Sequence, residues 1–279
     1  MTTLQIGARA HDFAEQSPEK LIFQARLLGI DGLQLAVHKS WPEAWQARDI
    51  PTLVANIKQI QQAGISIFLL ASYFNPAHSD AGFLASEIER VRINIELAQI
   101  CDVGVVGSET GSLNDNDWTW HPDNHGIDAF NKVERSLTLL KPHLALADCD
   151  FLVEAVRDHI IHDSHCLLRL NSELGKHFKV TLDLANLLYA DNAADWHNVL
   201  VNFLNKHVGR IRLFHFKNFI LEGRNKIPTG LEQGLIDYAQ VLSVLEQRQL
   251  THIPVIVEEL TGEPLRESVA YLRRLNRSE

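Results

Sequence analysis

At 279 residues, 46% hydrophobic and 22% charged, the chain carries enough apolar sequence for one large globular domain, and α/β barrels of about 250 residues commonly form one. Its formal net charge of -9, with no Lys/Arg run longer than Arg273–Arg274, argues against a nucleic-acid footprint. No stretch approaches the roughly 20 apolar residues of a membrane span.

The start, MTTLQIGARAHDF, lacks the basic and long apolar regions of a signal peptide. Cys101, Cys149 and Cys166 have no CxxC spacing and read as buried thiols of a reducing compartment, a thiolate ligand or nucleophile being the alternative. A soluble, cytoplasmic protein is expected.

In chain order, Leu4–Ala8 is a first apolar run, followed by Arg9, His11 and Asp12. Ser17-Pro18 caps and opens a helix that ends near Gly29. Gly32–Val37 is the second strand, Pro51–Ala63 a helix stopped by Gly64, and Ile65–Ala71 the third strand. Ser79–Cys101 is helical, Val103–Val106 the fourth strand, Ile127–Leu146 a helix and Phe151–Val153 the fifth strand. Asp163–Leu174 is a helix closed by Gly175, and FKVTL from Phe178 is the sixth strand. A helix over Ala193–His207, a strand over Ile211–Phe214, a helix over Tyr238–Gln247, a strand over Val255–Val257 and a helix over Leu265–Leu275 complete the pattern.

Eight strands alternating with eight helices predict a parallel sheet buried on both faces, closed as a single-domain (β/α)8 TIM barrel. Two connections are stretched, 112–126 after strand four and 219–234 after strand seven. Both lie on the C-terminal side of the strands, where barrel enzymes place active sites. Trp118, Trp120, His121 and His125 either form a lid over a polar ligand or pack on the rim.

Four consecutive strands end in a metal-ligand residue: Glu154, Asp183, His215 and Glu258. A carboxylate at the end of a buried strand is costly unless compensated, and a metal ion is a common compensation. Neighbouring strand ends in a parallel barrel can converge, so three carboxylates and one imidazole would hold a divalent cation. The donor set leans to Mn2+ or Mg2+, with Co2+ or Zn2+ also accommodated. Glu259 adjoins Glu258 and should face the other way.

Tyr73-Phe74-Asn75-Pro76, GSETGS at 107–112, Glu154-Ala155-Val156 with His159, Asp183 with Asn186-Leu187-Leu188, His215-Phe216-Lys217, Gly234-Leu235-Ile236-Asp237-Tyr238 and Glu258 occur in order. This set resembles the xylose isomerase-like TIM barrel superfamily, in its sugar (phosphate) isomerase/epimerase branch, over nearly the whole chain. The resemblance implies Glu154, Asp183, His215 and Glu258 as metal ligands, with Glu154 and Glu258 doubling as the catalytic acid/base pair. It departs from that group at Asn186, where ketose epimerases carry a second histidine, and at Asn218, where many relatives have aspartate.

The implied chemistry is removal of a proton beside a carbonyl, with a metal-stabilised enediolate as intermediate. Glu109 would bond substrate hydroxyls or cap its Gly-Thr-Gly turn, and His159 would reach substrate or orient a ligand. Asn186 and Asn218 both touch substrate recognition more than the metal. Lys217 and Arg224 would meet an anionic substituent such as phosphate, or lie on solvated surface.

The partner expected is a small carbohydrate, with no nucleic acid and no membrane; a homo-oligomer is compatible, although no stretch marks an interface. A polyol or inosose dehydratase, a non-catalytic sugar-binding barrel and an AP-endonuclease-like repair enzyme are the competing readings. The net charge and Asn186 count against the last.

Overall fold

The computed structural model describes residues 4–276. The strands are β1 (Ile6–Arg9), β2 (Gly32–Leu35), β3 (Ser66–Ala71), β4 (Val105–Glu109), β5 (Asp150–Glu154), β6 (Phe178–Asp183) and β7 (Ile211–Phe216). A two-stranded antiparallel hairpin, β8 (Asn218–Glu222) and β9 (Asn225–Thr229), precedes β10 (Val255–Val257). Strands β1 to β7 and β10 close a barrel in the order β1-β10-β7-β6-β5-β4-β3-β2. Their pairing is parallel and helices flank them, giving the expected (β/α)8 TIM barrel. Residues of β2 and β10 are buried throughout, as a sheet covered on both faces requires. No helix among the described residues is long and apolar enough to cross a membrane.

The chain divides into two compact units, one running to Phe68 and resuming at Leu182, the other Leu69–Thr181. In the first, Ser17 accepts from the Lys20 N–H, Pro18 begins the helix Pro18–Leu28, and Gly29 ends it in the left-handed region at φ 67°. Leu21 and Ala25 form that helix's buried stripe, and Leu53, Ile57 and Ile60 that of Ile50–Gln62. Gly32 in β2 leaves room for the Phe68 ring, which a Cβ there would approach to 2.6 Å. In the second unit, Asp80 accepts from the Phe83 N–H and caps the 20-residue helix Ala81–Ile100.

Several boundaries differ from the sequence reading. The expected helix over 127–146 is two helices, Ile127–Thr138 and Lys141–Ala147, with Pro142 in the first turn of the second. Proline has no N–H to continue the ladder, so it restarts a helix more readily than it extends one. Strand β4 runs on to Glu109 and β7 to Phe216, so Glu109 and His215 are strand residues. The stretch 219–234 contains the β8–β9 hairpin, which turns at Gly223 with φ 63°.

Asn218, which opens this hairpin, uses its whole amide on the backbone. Its Nδ2 donates to the carbonyls of Leu231 and Ile236, 2.8 Å each, and its Oδ1 accepts from the N–H groups of Phe219 and Ile236, 3.0 Å each. Gly234 lets the loop pass close enough, since a Cβ there would lie 2.2 Å from the Asn218 side chain. Asn218→Asp would set a carboxylate oxygen against two carbonyls, and should cost roughly 2–4 kcal/mol. Urea unfolding measures this directly, and an unchanged midpoint would show that the amide does not clamp the loop.

Candidate active site

The first unit gathers charged residues at one end of its strands. Arg9 ends β1 opposite Gln34 of β2, and the pairing of Ala8 with Val257 sets Arg9 level with Glu258, just beyond β10. His215 pairs with Ile256, two residues before Glu258, and the Glu258 N–H donates to Phe216 O at 3.0 Å. Alternation on β7 therefore turns His215 and the following Lys217 to one face.

Glu258 is the hub. The His215 Nδ1 lies 3.3 Å from its Oε1, Gln34 Nε2 donates to the same oxygen at 3.4 Å, and Arg9 Nη1 and Lys217 Nζ each lie 3.8 Å from its Oε2. Lys217 Nζ also reaches Asp183 Oδ2 at 3.1 Å and Glu259 Oε1 at 2.8 Å. Asp183 ends β6 with its side chain fully buried, while Oδ1 accepts from the Asn186 N–H at 3.1 Å and so turns the chain away from the strand. Asp183 and His215 each offer a ligand atom within 4.8 Å of the other.

Burial alone would raise the Glu258 pKa. The charges of His215, Lys217, Arg9 and His11 outweigh that and hold it down at about 2, so it is a carboxylate at neutral pH. Glu259 takes a left-handed conformation at φ 58°, so strand alternation ends at this point and its side chain swings back to Lys217. Its side chain is 43% exposed against 5% for Glu258.

The second unit holds the other predicted residues. Glu109 and Glu154 end β4 and β5 as direct partners in the ladder. Glu154 is buried, and Glu109 Oε2 lies 3.5 Å from His159 Nδ1. Trp118 of the loop 112–126 packs edge-on against His159 with ring centroids 6.0 Å apart. Asn124 holds that loop down, accepting from the Leu113 N–H at 2.9 Å and donating to Asp158 O at 2.7 Å. Asn75 does the same for the segment after β3, donating to Ser112 O at 2.7 Å and accepting from the Ala77 N–H at 3.1 Å.

Of the remaining predicted residues, Asn186 is half-buried on the turn that Asp183 caps, and Arg224 is exposed at the hairpin turn. Lys217, only 12% exposed, is part of the carboxylate cluster rather than solvated surface. Sequence reasoning missed Arg9 and Gln34. Arg9 carries the same signal as the other four, a charged residue closing an apolar strand. Gln34 lies inside a strand, and nothing local marks it.

A parallel barrel with acids, imidazole and lysine at its strand ends defines a recognisable class. A family profile described as the xylose isomerase-like TIM barrel matches residues 22–275, and the chain belongs to that family. A search of curated proteins finds no match. Among solved structures, a D-tagatose 3-epimerase-like protein is 15% identical with TM-score 0.75, covering 98% of this chain and 97% of its own. A probable 3-DHS dehydratase from Bacillus anthracis is 14% identical with TM-score 0.74, covering 99% and 100%. A barrel protein of the same type from Mycobacterium smegmatis, in complex with magnesium, is 15% identical with TM-score 0.71, covering 100% and 99%. At such identities the likeness establishes the fold.

His11, on the turn after β1, supplies a pH dependence. Burial, then the charges of Lys39 and Arg9, lower its pKa from 6.5 to about 4. Between these values the unfolded chain binds a proton that the folded chain does not, so this contribution is complete above pH 6.5 and lost as pH falls to about 4. Denaturant midpoints at pH 7.5 and pH 5 should differ less in His11→Asn than in the parent. Equal slopes would remove His11 as the cause.

Proposed function

We propose that the protein is a divalent-metal-dependent isomerase or epimerase of a sugar or sugar phosphate, with Glu154, Asp183, His215 and Glu258 as ligands. The observation that carries this reading is the buried donor set Asp183, His215 and Glu258, whose two carboxylates share a cation of the chain's own, the Lys217 ammonium. A position that already stabilises positive charge fits a divalent ion, and Lys217 keeps Glu259 as its alternative partner at 2.8 Å. Glu154 supplies the fourth ligand in this reading. It ends β5, buried and opposite Thr181 in the β5–β6 ladder. Three carboxylates and an imidazole without a thiolate favour Mn2+ or Mg2+ over Co2+ or Zn2+.

When bound, the ion polarises the substrate carbonyl and the neighbouring hydroxyl. Glu154 takes the proton from the carbon beside that carbonyl, and Glu258, a carboxylate at neutral pH, is its partner in proton transfer. Return of the proton to the opposite face gives an epimer; return to the adjacent carbon gives the isomer. Glu109 and His159, already paired, bond the substrate hydroxyls and orient the sugar. Lys217 and Asn186 flank the site from strand ends β7 and β6.

A polyol dehydratase shares the first proton abstraction and then expels hydroxide. The likeness to the 3-DHS dehydratase keeps it as the second reading.

The deciding experiment combines metal analysis with proton exchange. The purified protein, supplied with Mn2+, should bind it stoichiometrically and catalyse deuterium uptake from D2O at one carbon of a ketose or ketose phosphate, followed by NMR. Loss of water would select the dehydratase, cleavage of an abasic-site DNA duplex the nuclease, and absence of bound metal would overturn the site. Glu154→Gln should remain folded and lose exchange by about 10²–10⁴-fold; unchanged exchange would remove Glu154 from the chemistry.

Lys217→Met tests the charge balance separately. It leaves Asp183 and Glu258 short of a buried cation, and should destabilise the metal-free protein by about 3–5 kcal/mol. Added Mn2+ should recover most of that loss in a thermal melt. A variant as stable as the parent without metal would show that Lys217 does not balance these acids.

A further inference from the structure

The β5 end leads into a loop whose far side carries a second cluster with different chemistry. His162, Asp163 and Cys166 each present one ligand atom, all within 4.8 Å of one another. Cys166 Sγ lies 3.8 Å from each His162 ring nitrogen, and Asp163 Oδ2 lies 3.8 Å from His162 Nε2. Donors bound to one zinc at about 2.0–2.3 Å sit roughly 3.3–3.8 Å apart, so small side-chain adjustments would close this set on an ion.

His162 Nδ1 is 3.1 Å from the Ile160 carbonyl. Donating there fixes the proton on Nδ1 and leaves the Nε2 lone pair for a ligand, the second-sphere arrangement usual for metal-binding histidines. Asp163 uses Oδ1 to cap the helix Ser164–Leu174, accepting from the His165 and Cys166 N–H groups at 2.8 Å each, which leaves Oδ2 facing His162. Helix capping accounts for Asp163 alone. It does not account for the imidazole that lies beside the remaining oxygen.

His125, from the loop after β4, stacks on His162 with ring centroids 3.5 Å apart and 18° between planes, and its Nε2 lies 3.0 Å from the Arg157 carbonyl. Trp120 covers the other side of His125 at 4.7 Å.

The geometry points to a second metal site, formed by His162, Asp163 and Cys166, for a borderline or soft divalent cation such as Zn2+. A thiolate, an imidazole and a carboxylate select Zn2+ or Co2+ and not Mg2+. Three protein donors leave a fourth position for water or another ligand. On binding, the Cys166 sulfur–hydrogen bond breaks, its proton passes to solvent and the sulfur pair forms the bond to the ion; no electron is transferred. Loading releases that proton and is therefore favoured by rising pH. The ion would fasten the segment 155–166, which also carries His159, to the helix that follows β5.

Cobalt reports the ligand directly. Titration of the parent with Co2+ should produce a near-ultraviolet sulfur-to-cobalt charge-transfer band, and Zn2+ should abolish it by displacement. Cys166→Ser should lack the band, bind one equivalent less of Zn2+ in equilibrium dialysis, and melt like the parent when metal-free. His162→Gln should weaken Zn2+ binding at least about tenfold. Asp183→Asn, altered only at the other site, should keep the band, so failure of one site is distinguishable from failure of the other. No thiolate band in the parent, or equal Zn2+ content in the parent and Cys166→Ser, overturns the proposal.

Discussion

Two buried carboxylates, Asp183 and Glu258, set the terms for the first unit. An isolated carboxylate in that environment is unstable as an ion by many kcal/mol, and it either protonates or acquires a compensating charge. Here it acquires charge. Lys217 bridges both acids, Arg9 and His215 approach Glu258 from either side, and Gln34 donates a neutral hydrogen bond. The side chains that meet the acids come from β1, β2, β7 and the residue just past β7, so the parallel ladder, more than any local sequence feature, makes the cluster stable. The same arrangement gives the Lys217 ammonium three acidic partners, Asp183, Glu258 and Glu259.

Around the strand ends, asparagines do the holding. Asn75, Asn124 and Asn218 each donate to backbone carbonyls and accept from backbone N–H groups of irregular segments. An amide side chain has both donor and acceptor and can stand in for a missing strand partner, which a carboxylate cannot. Loops tied in this way keep Trp118 against His159 and the segment 230–236 beside β8. Preorganisation of this kind is what a site needs if its residues are to meet a substrate without first being ordered by it.

Hard and soft donors are segregated along the chain. Carboxylates and His215 occupy strand ends in a setting without sulfur, whereas Cys166 stands one helical turn into the helix after β5, beside His162 and Asp163. Cys101 and Cys149 are buried elsewhere, and burial holds the Cys149 thiol up at about 12, where it is inert.

The sequence by itself determined the barrel and the strand-end acids. Apolar runs of four to six residues, Ser, Asp and Pro at helix starts and Gly at helix ends are local signals with a fixed physical meaning, and they survive in the structure at Ser17, Pro18 and Gly29. Charged residues closing the runs marked Glu154, Asp183, His215 and Glu258 for the same reason, since burial makes them conspicuous. Only the tertiary structure decided what surrounds them. Gln34 reached Glu258 because β1 lies between β2 and β10 in the closed sheet, a long-range pairing no window can see. Asn218 became a clamp on the loop after the hairpin, since its partners are up to 18 residues away. Glu259 met Lys217 through a left-handed turn that strand alternation cannot anticipate, and the extent of β7 was set by its pairing with β10. Local patterns fix what a residue is suited to; the register of distant strands fixes which neighbour it finds.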